Sequence, residues 1–409
     1  MIVLYDDARA RAFEPFATSR PLGEVRAGAL LGRERWEMAI GASTSAFIGA
    51  AHLHRFVEFN APPAAGAGID AGSWLVNTRA LPEPALIERT TMDVIRIADR
   101  IAAVRLRAPL SVSLLHDGDL ELESLVPGDA TVADVAGVWL IDLWDIIRHL
   151  TAQLAVDVPL VAGALGATRL ANASGTHAPV VLGGGDVWVE EGAVIEPLSV
   201  LDTTSGPILV RRGATVHAFT RLTGPAYIGT NSTVTADRIA ACSIGDDCRI
   251  HGELSMSVFI GHSNKGHVGF VGHSLVGRWV NLGAGTTTSN LKNSYGPVAM
   301  WSTAGVRGTG LQFAGTFFGD HVKTGIGLQL TTGCVLGTGA NLMETMPPKC
   351  VAPFAWGTGA PYASFDPDKF LEIATRMMGR RNVFADARST AYLSDVMARA
   401  AAAPYWPDR

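Results

Sequence analysis

The densest polar cluster in an otherwise small and apolar stretch is His262-Ser263-Asn264-Lys265-Gly266-His267-Val268-Gly269-Phe270-Val271-Gly272-His273, followed by Asn281 and Asn290. One histidine in such a run is usually a surface residue. Three within twelve residues, flanked by Lys265, Asn281 and Asn290, call for a chemical reading. Imidazole changes charge near neutral pH and also ligates metals, and carboxamides supply both donors and acceptors. A second set lies at the start of the chain, where Asp6 and Asp7 follow the apolar run Ile2-Val3-Leu4-Tyr5. An acidic pair at a strand end suits either a metal ion or a solvated turn. Arg20 and Arg26, in Thr18-Ser19-Arg20-Pro21-Leu22-Gly23-Glu24-Val25-Arg26-Ala27-Gly28, carry guanidinium forks that match phosphate oxygens.

The elements that position the histidines have an unusual period. From about Val180 to Leu342 an apolar or β-branched residue recurs every six positions, most clearly at Phe318, Thr324, Leu330, Leu336 and Leu342, usually with glycine next. Earlier registers are Val210, Val216, Leu222, Ile228 and Val234, then Ile244 and Ile250, then Val276 and Leu282. Six is neither the helical nor the strand period. It is the hexapeptide signature of a parallel β-helix, in which each hexad makes one face of a triangular coil. The ladder predicts roughly nine turns stacked about 4.8 Å apart. Interruptions at 202–207 and 289–317 are expected to project as loops or flaps.

Residues 1–155 read as an α/β domain. Strand-like runs at Ile2–Tyr5, Ser73–Val76 and Leu110–Leu115 precede an amphipathic helix over Ile141–Leu150. Residues 156–179 are rich in glycine and alanine and read as a linker, 180–345 as the β-helix, and 346–409 as a helical tail. In the tail, Asp366-Pro367 starts a helix with Phe370, Ile373, Ala374 and Met377 on one face. Ser389–Ala402 is expected to form a second helix, covering the open end of the coil.

Composition narrows the function classes. The 409 residues are 17% charged and carry 45 glycines but only 21 prolines, a turn-dense globular chain rather than a disordered or collagen-like one. A net charge of −5 without a lysine/arginine block argues against nucleic acid as a partner. No basic leader precedes the short first apolar run, and the stretch Val135–Ile147 is broken by Asp142 and Asp145. A cytoplasmic chain that does not engage the membrane is therefore expected. Cys242, Cys248, Cys334 and Cys350 lack disulfide or C-x-x-C spacing and read as buried thiols.

Lys-x-His followed by Gly-Phe-Val-Gly, then Val280-Asn281-Leu282-Gly283-Ala284-Gly285-Thr286 and Thr288-Ser289-Asn290, resembles the acetyltransferase domain of the bifunctional N-acetylglucosamine-1-phosphate uridylyltransferase/glucosamine-1-phosphate acetyltransferases. The nearest pattern is an alternate bacterial branch of that family, described as sugar nucleotidyltransferases. The motifs are strong over Ser263–Asn293 and Phe318–Leu342 and weaker before residue 150. The resemblance implies an α/β nucleotidyltransferase-like domain joined to a left-handed parallel β-helix that trimerises, with active sites shared between neighbouring coils. It places His267 at the catalytic histidine, taking a proton as an amino sugar attacks acetyl-CoA. Asn281 and Asn290 fall on sugar and amine contacts, Lys265 near a phosphate-binding lysine, and Gly325 and Ile326 where the thioester end of acetyl-CoA lies. Two tyrosines of the family pattern stand here as Phe270 and Leu291.

For the N-terminal domain the resemblance implies nucleotidyl transfer with Mg²⁺ from an NTP, expected to be UTP, to a sugar 1-phosphate. The usual glycine-rich loop is missing, because Asp6 to Pro21 contains no glycine, and Asn77 stands near the place of a magnesium-binding aspartate. The expected enzyme thus makes nucleotide sugars of the UDP-N-acetylglucosamine type from small phosphorylated substrates. Two other readings compete. His262 and His267, with His217 or His251 across an interface, could hold zinc as in γ-class carbonic anhydrases, which share the trimeric β-helix. A non-catalytic trimeric scaffold that binds sugar nucleotides is the other.

Overall fold

The computed structural model describes residues 1–87, 92–170, 178–235, 237–403 and 406. They divide into two units, Met1–Val25 with Leu30–Asp145 and Ala385–Ala402, and Arg26–Ala29 with Ile146–Phe384 and Ala403–Arg409.

The first unit is built on six strands, β1 (Ile2–Tyr5), β2 (Thr44–Ile48), β3 (Trp74–Asn77), β4 (Val94–Ile97), β5 (Arg100–Arg105) and β6 (Val132–Asp134), in the order β6-β4-β5-β3-β1-β2. β1 is parallel to both neighbours, with Tyr5 opposite Asn77 on one side and Ile48 on the other. Its four residues are all buried, as a short unbroken apolar run in a central strand should be. Helix α1 (Gly32–Ile40) buries Trp36 and ends at Gly41 in the left-handed region, φ 61°. The expected run Leu110–Leu115 is a strand only at Leu110–Ser111 and then a 3₁₀ turn, Val112–Leu115.

Helix also replaces part of the expected linker. After the single turn α2 (Asp145–Arg148), α3 runs from Leu150 to Leu165 through Pro159, burying Leu154, Asp157, Val158 and Ala162. Of the small residues that read as linker sequence, Ala162 is buried in the helix, while Gly163, Ala164 and Gly166 are exposed at its end. Residues 171–177 of that expected linker lie outside the described residues.

The second unit is a parallel β-solenoid of about ten turns over residues 180–357 that fits a left-handed β-helix. Its first face starts with Val180–Leu182, its second with Val187–Val189 and its third with Val194–Ile195, and each strand pairs in parallel with the next turn. The six-residue ladder is the inward row. On the third face Val216, Val234 and Ile250 stack in register, all fully or nearly fully buried. The corners bend through left-handed backbone, and several of these residues are not glycine, including Asp247, His262, His273, Trp279 and His321. Side-chain contacts offset the cost of αL at such residues. Between 289 and 316 the coil is interrupted by an excursion carrying the hairpin Ala299–Ser302/Gly305–Gly308, at the place expected for a flap.

Helix α4 (Pro367–Gly379) opens as expected: the Asp366 carboxylate accepts the Lys369 N–H at 2.9 Å, and Phe370 and Ala374 are buried. Helix α5 (Ala387–Ala401) is counted with the first unit rather than with the coil. Its Tyr392 packs edge-on against Phe56 and donates its hydroxyl to the Ser19 carbonyl, and its Asp395 pairs with Arg55. The apolar face expected to cap the solenoid is used there instead. Cys242, Cys248 and Cys334 are buried free thiols and Cys350 is half-buried. Among the described residues no helix is long and apolar enough to cross a membrane.

Candidate functional sites

Asn264-Lys265 and Asn281-Leu282 are successive strands of the third face, and the hexad alternation decides which side chains leave it. Asn264 and Asn281 stand in register on the outer row, joined Nδ2 to Oδ1 at 2.8 Å. Lys265 occupies the inner row beside Ile250, where the ladder otherwise holds apolar residues. It is 2% exposed, and its ammonium donates to the carbonyls of His251 at 2.9 Å and His267 at 2.5 Å. Burial pushes its pKa down to about 8. Its expected contact with phosphate is therefore corrected by the structure, in which Lys265 ties the corner that carries His267 to the corner one turn before it.

His267 is exposed on the corner between the third and first faces. The same edge carries Gly283–Gly285 on the next turn and Gly325–Gly327 on the one after. Gly285 N–H donates to Val268 O at 3.0 Å and Gly327 N–H to Ala284 O at 2.7 Å. Gly325 and Ile326 therefore share an edge with the histidine, about two sheet spacings or ~10 Å along the coil. Ile326 is 80% exposed. Asn290 lies on a different corner, where its amide donates to His273 Nδ1 at 2.8 Å. Burial holds His273 down at about 4, so it is a neutral acceptor stacked on Phe313.

The zinc reading is not favoured by this geometry. His262 and His267 sit on different corners of one turn. His262 is 6% exposed, packs at a tilt against Trp279 with ring centres 4.7 Å apart and meets Arg278 at 3.1 Å. Trp279 stacks in turn on His321, so His262 belongs to an aromatic ladder of left-handed corner residues. His217 is paired with Glu196 at 3.0 Å. No group of three or more potential metal-ligating side chains is found among the described residues.

In the first unit, parallel β1 and β3 bring Asp6, Asp7, Asn77 and Arg79 to their carboxyl ends, the usual place for a ligand in such sheets. The acidic pair splits. Asp6 turns inward, accepting from Leu22 N–H at 3.0 Å and the Thr78 hydroxyl at 2.6 Å, and burial raises it to about 6. Asp7 lines a cavity of about 480 Å³ with Arg9, Asn77, Arg79, Arg100 and Trp139. Its carboxylate accepts from Arg79 at 2.5 and 2.9 Å and from Asn77 at 2.9 Å, and these contacts outweigh its burial, leaving it below the usual carboxylate range. The guanidinium groups of Arg79 and Arg100 both lie over the Trp139 indole, 5.3 and 4.1 Å from its ring centre. This pair of cations on an aromatic face was not singled out from sequence, although Arg79 stands two residues after Asn77.

Arg20 and Arg26 do not join that cavity. Arg20 is 2% exposed and bound to both Glu58 oxygens, at 2.8 and 3.2 Å. Arg26 belongs to the second unit, lies over the Tyr227 ring at 5.2 Å and donates to the Ala29 carbonyl.

The inward Asp6 yields a pH prediction. Its raised folded-state pKa means that stability is highest below the unfolded value near 3.8 and is lost as pH rises through about 6. Asp6→Asn, whose amide can serve both partners, should remove that slope and raise stability at pH 7 by roughly 1–3 kcal/mol in urea unfolding. Unchanged pH dependence of unfolding in the variant would refute the inward assignment.

Comparison with known proteins gives the first unit its class. Residues 2–164 match the model of a family described as sugar nucleotidyl transferase. The N-terminal part is a nucleotidyltransferase-type domain. Among curated proteins, "Bifunctional protein GlmU" of Carboxydothermus hydrogenoformans is 27% identical over 189 residues, 41% of this chain and 39% of that protein. The "Bifunctional protein GlmU" of Methanococcus vannielii is 31% identical over 125 residues, 29% of this chain and 28% of that protein. A "Bifunctional sugar-1-phosphate nucleotidylyltransferase/acetyltransferase" of Sulfurisphaera tokodaii is 34% identical over 91 residues, 22% of each. The matched stretches span two fifths or less of these relatives' lengths. The chain is similar to this bifunctional class in sequence, and its solenoid accords with the β-helix expected from the hexapeptide ladder.

Proposed function

We propose that this chain is a bifunctional enzyme of nucleotide-sugar synthesis, transferring acetyl from acetyl-CoA to an amino-sugar 1-phosphate, with glucosamine 1-phosphate as the expected acceptor, on the edge of the solenoid. The observation that carries this is the edge itself: an exposed His267 with its backbone tied by Lys265, and closely stacked glycines one and two turns along. His267 takes the proton from the sugar nitrogen as that nitrogen attacks the thioester carbon. The carbon–sulfur bond breaks, and coenzyme A leaves as the thiol once its sulfur is protonated. Asn281 contacts the sugar, and Gly325 and Ile326 let the thioester end approach the backbone. A single exposed edge cannot enclose two substrates, so a homotrimer completes the site, with Asn290 contributed from the corner of a neighbouring coil.

The nucleotidyltransferase-type domain has a sugar 1-phosphate and an NTP, expected to be UTP, as its substrates. Arg9, Arg79 and Arg100 neutralise phosphate and Trp139 offers a stacking face. Magnesium, which the resemblance implies, fits the residues expected from sequence poorly, and the other carboxylates lining the cavity are those of Asp119, Glu121 and Glu123. Asp7 is the available strand-end carboxylate but is already engaged by Arg79, Asp6 faces inward, and Asn77 is a neutral carboxamide. No step is assigned to the metal.

The test is two assays on one preparation. Acetyl-CoA with glucosamine 1-phosphate should release thiol, and UTP with N-acetylglucosamine 1-phosphate should release pyrophosphate. Silence in both from a folded trimer would overturn the bifunctional reading.

A further inference from the structure

A second cavity, of about 490 Å³, lies wholly within the solenoid unit, between the third face and α4. Its floor is one outward row of the coil: Arg249, Asn264, Asn281 and Lys323 are in register on successive turns. At sheet spacing that row extends over roughly 14 Å. Its other wall comes from α4, where Ile373, Arg376 and Met377 at i, i+3 and i+4 are continued by Arg380 at i+7, so that one helical face points toward the row. Arg381 follows and donates to the Asp247 carbonyl at 3.3 Å.

The charge in this cavity is one-sided. Five of its lining residues are arginine or lysine and none is aspartate or glutamate. The nearest carboxylates act from outside: Glu372 pairs with Arg376 along the helix, and Asp247 lies 3.5 Å from His262 Nε2. An amphipathic helix on a solenoid ordinarily turns its arginines to water. Here Arg376 and Arg380 stay exposed but sit on the rim of the cavity beside Ile373 and Met377, with two further cations on the row opposite. Gathering like charges costs Coulomb energy that an anion in the cavity would offset. Arg381 feels this directly: after burial, the charges of Arg249 and Arg380 are what depress its pKa. The floor also offers the Asn264–Asn281 carboxamide pair for hydroxyl groups, and the roof offers apolar side chains.

We propose that this cavity binds a phosphate monoester, clamped between Arg249 and Lys323 of the coil and Arg376, Arg380 and Arg381 of the C-terminal segment. Its identification with the acyl acceptor rests on the proposed acetyl transfer. Asn281 is common to both, so an amino-sugar 1-phosphate would lie across the third face with its nitrogen toward His267 and its phosphate under α4. The 3′-phosphate of coenzyme A offers the same chemistry to the same cations.

Binding separates these sources without requiring turnover. Calorimetry on the full chain would compare glucosamine 1-phosphate with glucosamine, and coenzyme A with its 3′-dephospho form. The wild type would be measured against the double substitution Arg376→Gln/Arg380→Gln, at two exposed helix positions. Loss of a charged clamp should weaken the phosphorylated probe by about tenfold per arginine, roughly a hundredfold for the pair, with little effect on the unphosphorylated one. Weakening of glucosamine 1-phosphate supports the acceptor assignment, and weakening confined to coenzyme A supports a phosphate site for the donor. Equal affinities in wild type and variant for every phosphorylated probe, or no binding of any, would overturn the proposal. His267→Ala should bind as the wild type does, so failure of acetyl transfer and failure of this site are read separately.

Discussion

His267→Ala is expected to lower kcat for acetyl transfer by about 10²- to 10⁴-fold, the usual worth of a positioned general base, with KM for the sugar phosphate little changed. The reason lies in what this side chain touches. It is exposed on the solenoid edge, and the buried contacts of its corner belong to Lys265, which holds the His267 carbonyl rather than its ring. Truncation removes proton transfer and leaves the corner tied, so stability should stay within about 0.5 kcal/mol. Added imidazole should restore part of the thiol release. A variant that keeps more than half of wild-type turnover would remove His267 from the mechanism and leave the edge as a binding surface.

Gly283→Ala should damage both fold and acetyl transfer, for steric reasons that can be read atom by atom. A Cβ at Gly283 would lie 2.2 Å from the Gly325 carbonyl oxygen and 2.5 Å from its carbon. Both are backbone atoms of the next turn, and neither can swing away as the end of a long side chain could. Adjacent corners would have to separate at the place where the thioester is proposed to lie. An overpacking cost of roughly 1–3 kcal/mol follows, a drop of several degrees in Tm, together with lost acetyl transfer. Gly327→Ala is the comparison: it has open space around the added carbon but φ at 73°, so its cost is the left-handed backbone alone, about 1 kcal/mol. Equal Tm values for Gly283→Ala and the wild type, measured by calorimetry, would refute the close stacking of these corners.

The solenoid was legible because its period is enforced by geometry. An inward residue such as Val234 or Ile250 must recur once per face, and no other common element repeats at six. The exceptions were harder to see. Lys265 reads as a surface ligand in a polar run, and only the register with Ile250 places it inside. His262 looks equivalent to His267 in sequence. The corner conformation that packs it against Trp279 is a tertiary property, set by neighbours one turn away. Asp6 and Asp7 were indistinguishable as a pair, because which one faces the cavity depends on strand pleat and on the Thr78 and Arg79 partners from the end of β3. The arginines of α4 carried a signal, their i, i+4 spacing beside Ile373 and Met377, but its meaning required the cationic row opposite.

The assignment of α5 to the first unit has a consequence for how the protein is made. Residues 1–145 leave the ribosome before the solenoid does, yet their compact unit includes 385–402, which supply the Tyr392 hydroxyl to Ser19 and a ring to Phe56. At typical elongation rates of about 5–20 residues per second, the nascent N-terminal unit waits on the order of 10–50 s for its last helix. During that interval the whole solenoid is translated and can begin to stack its turns. The earlier unit to emerge thus stays incomplete until the coil of the other has been translated, and the surface that α5 will cover is open to chaperones throughout.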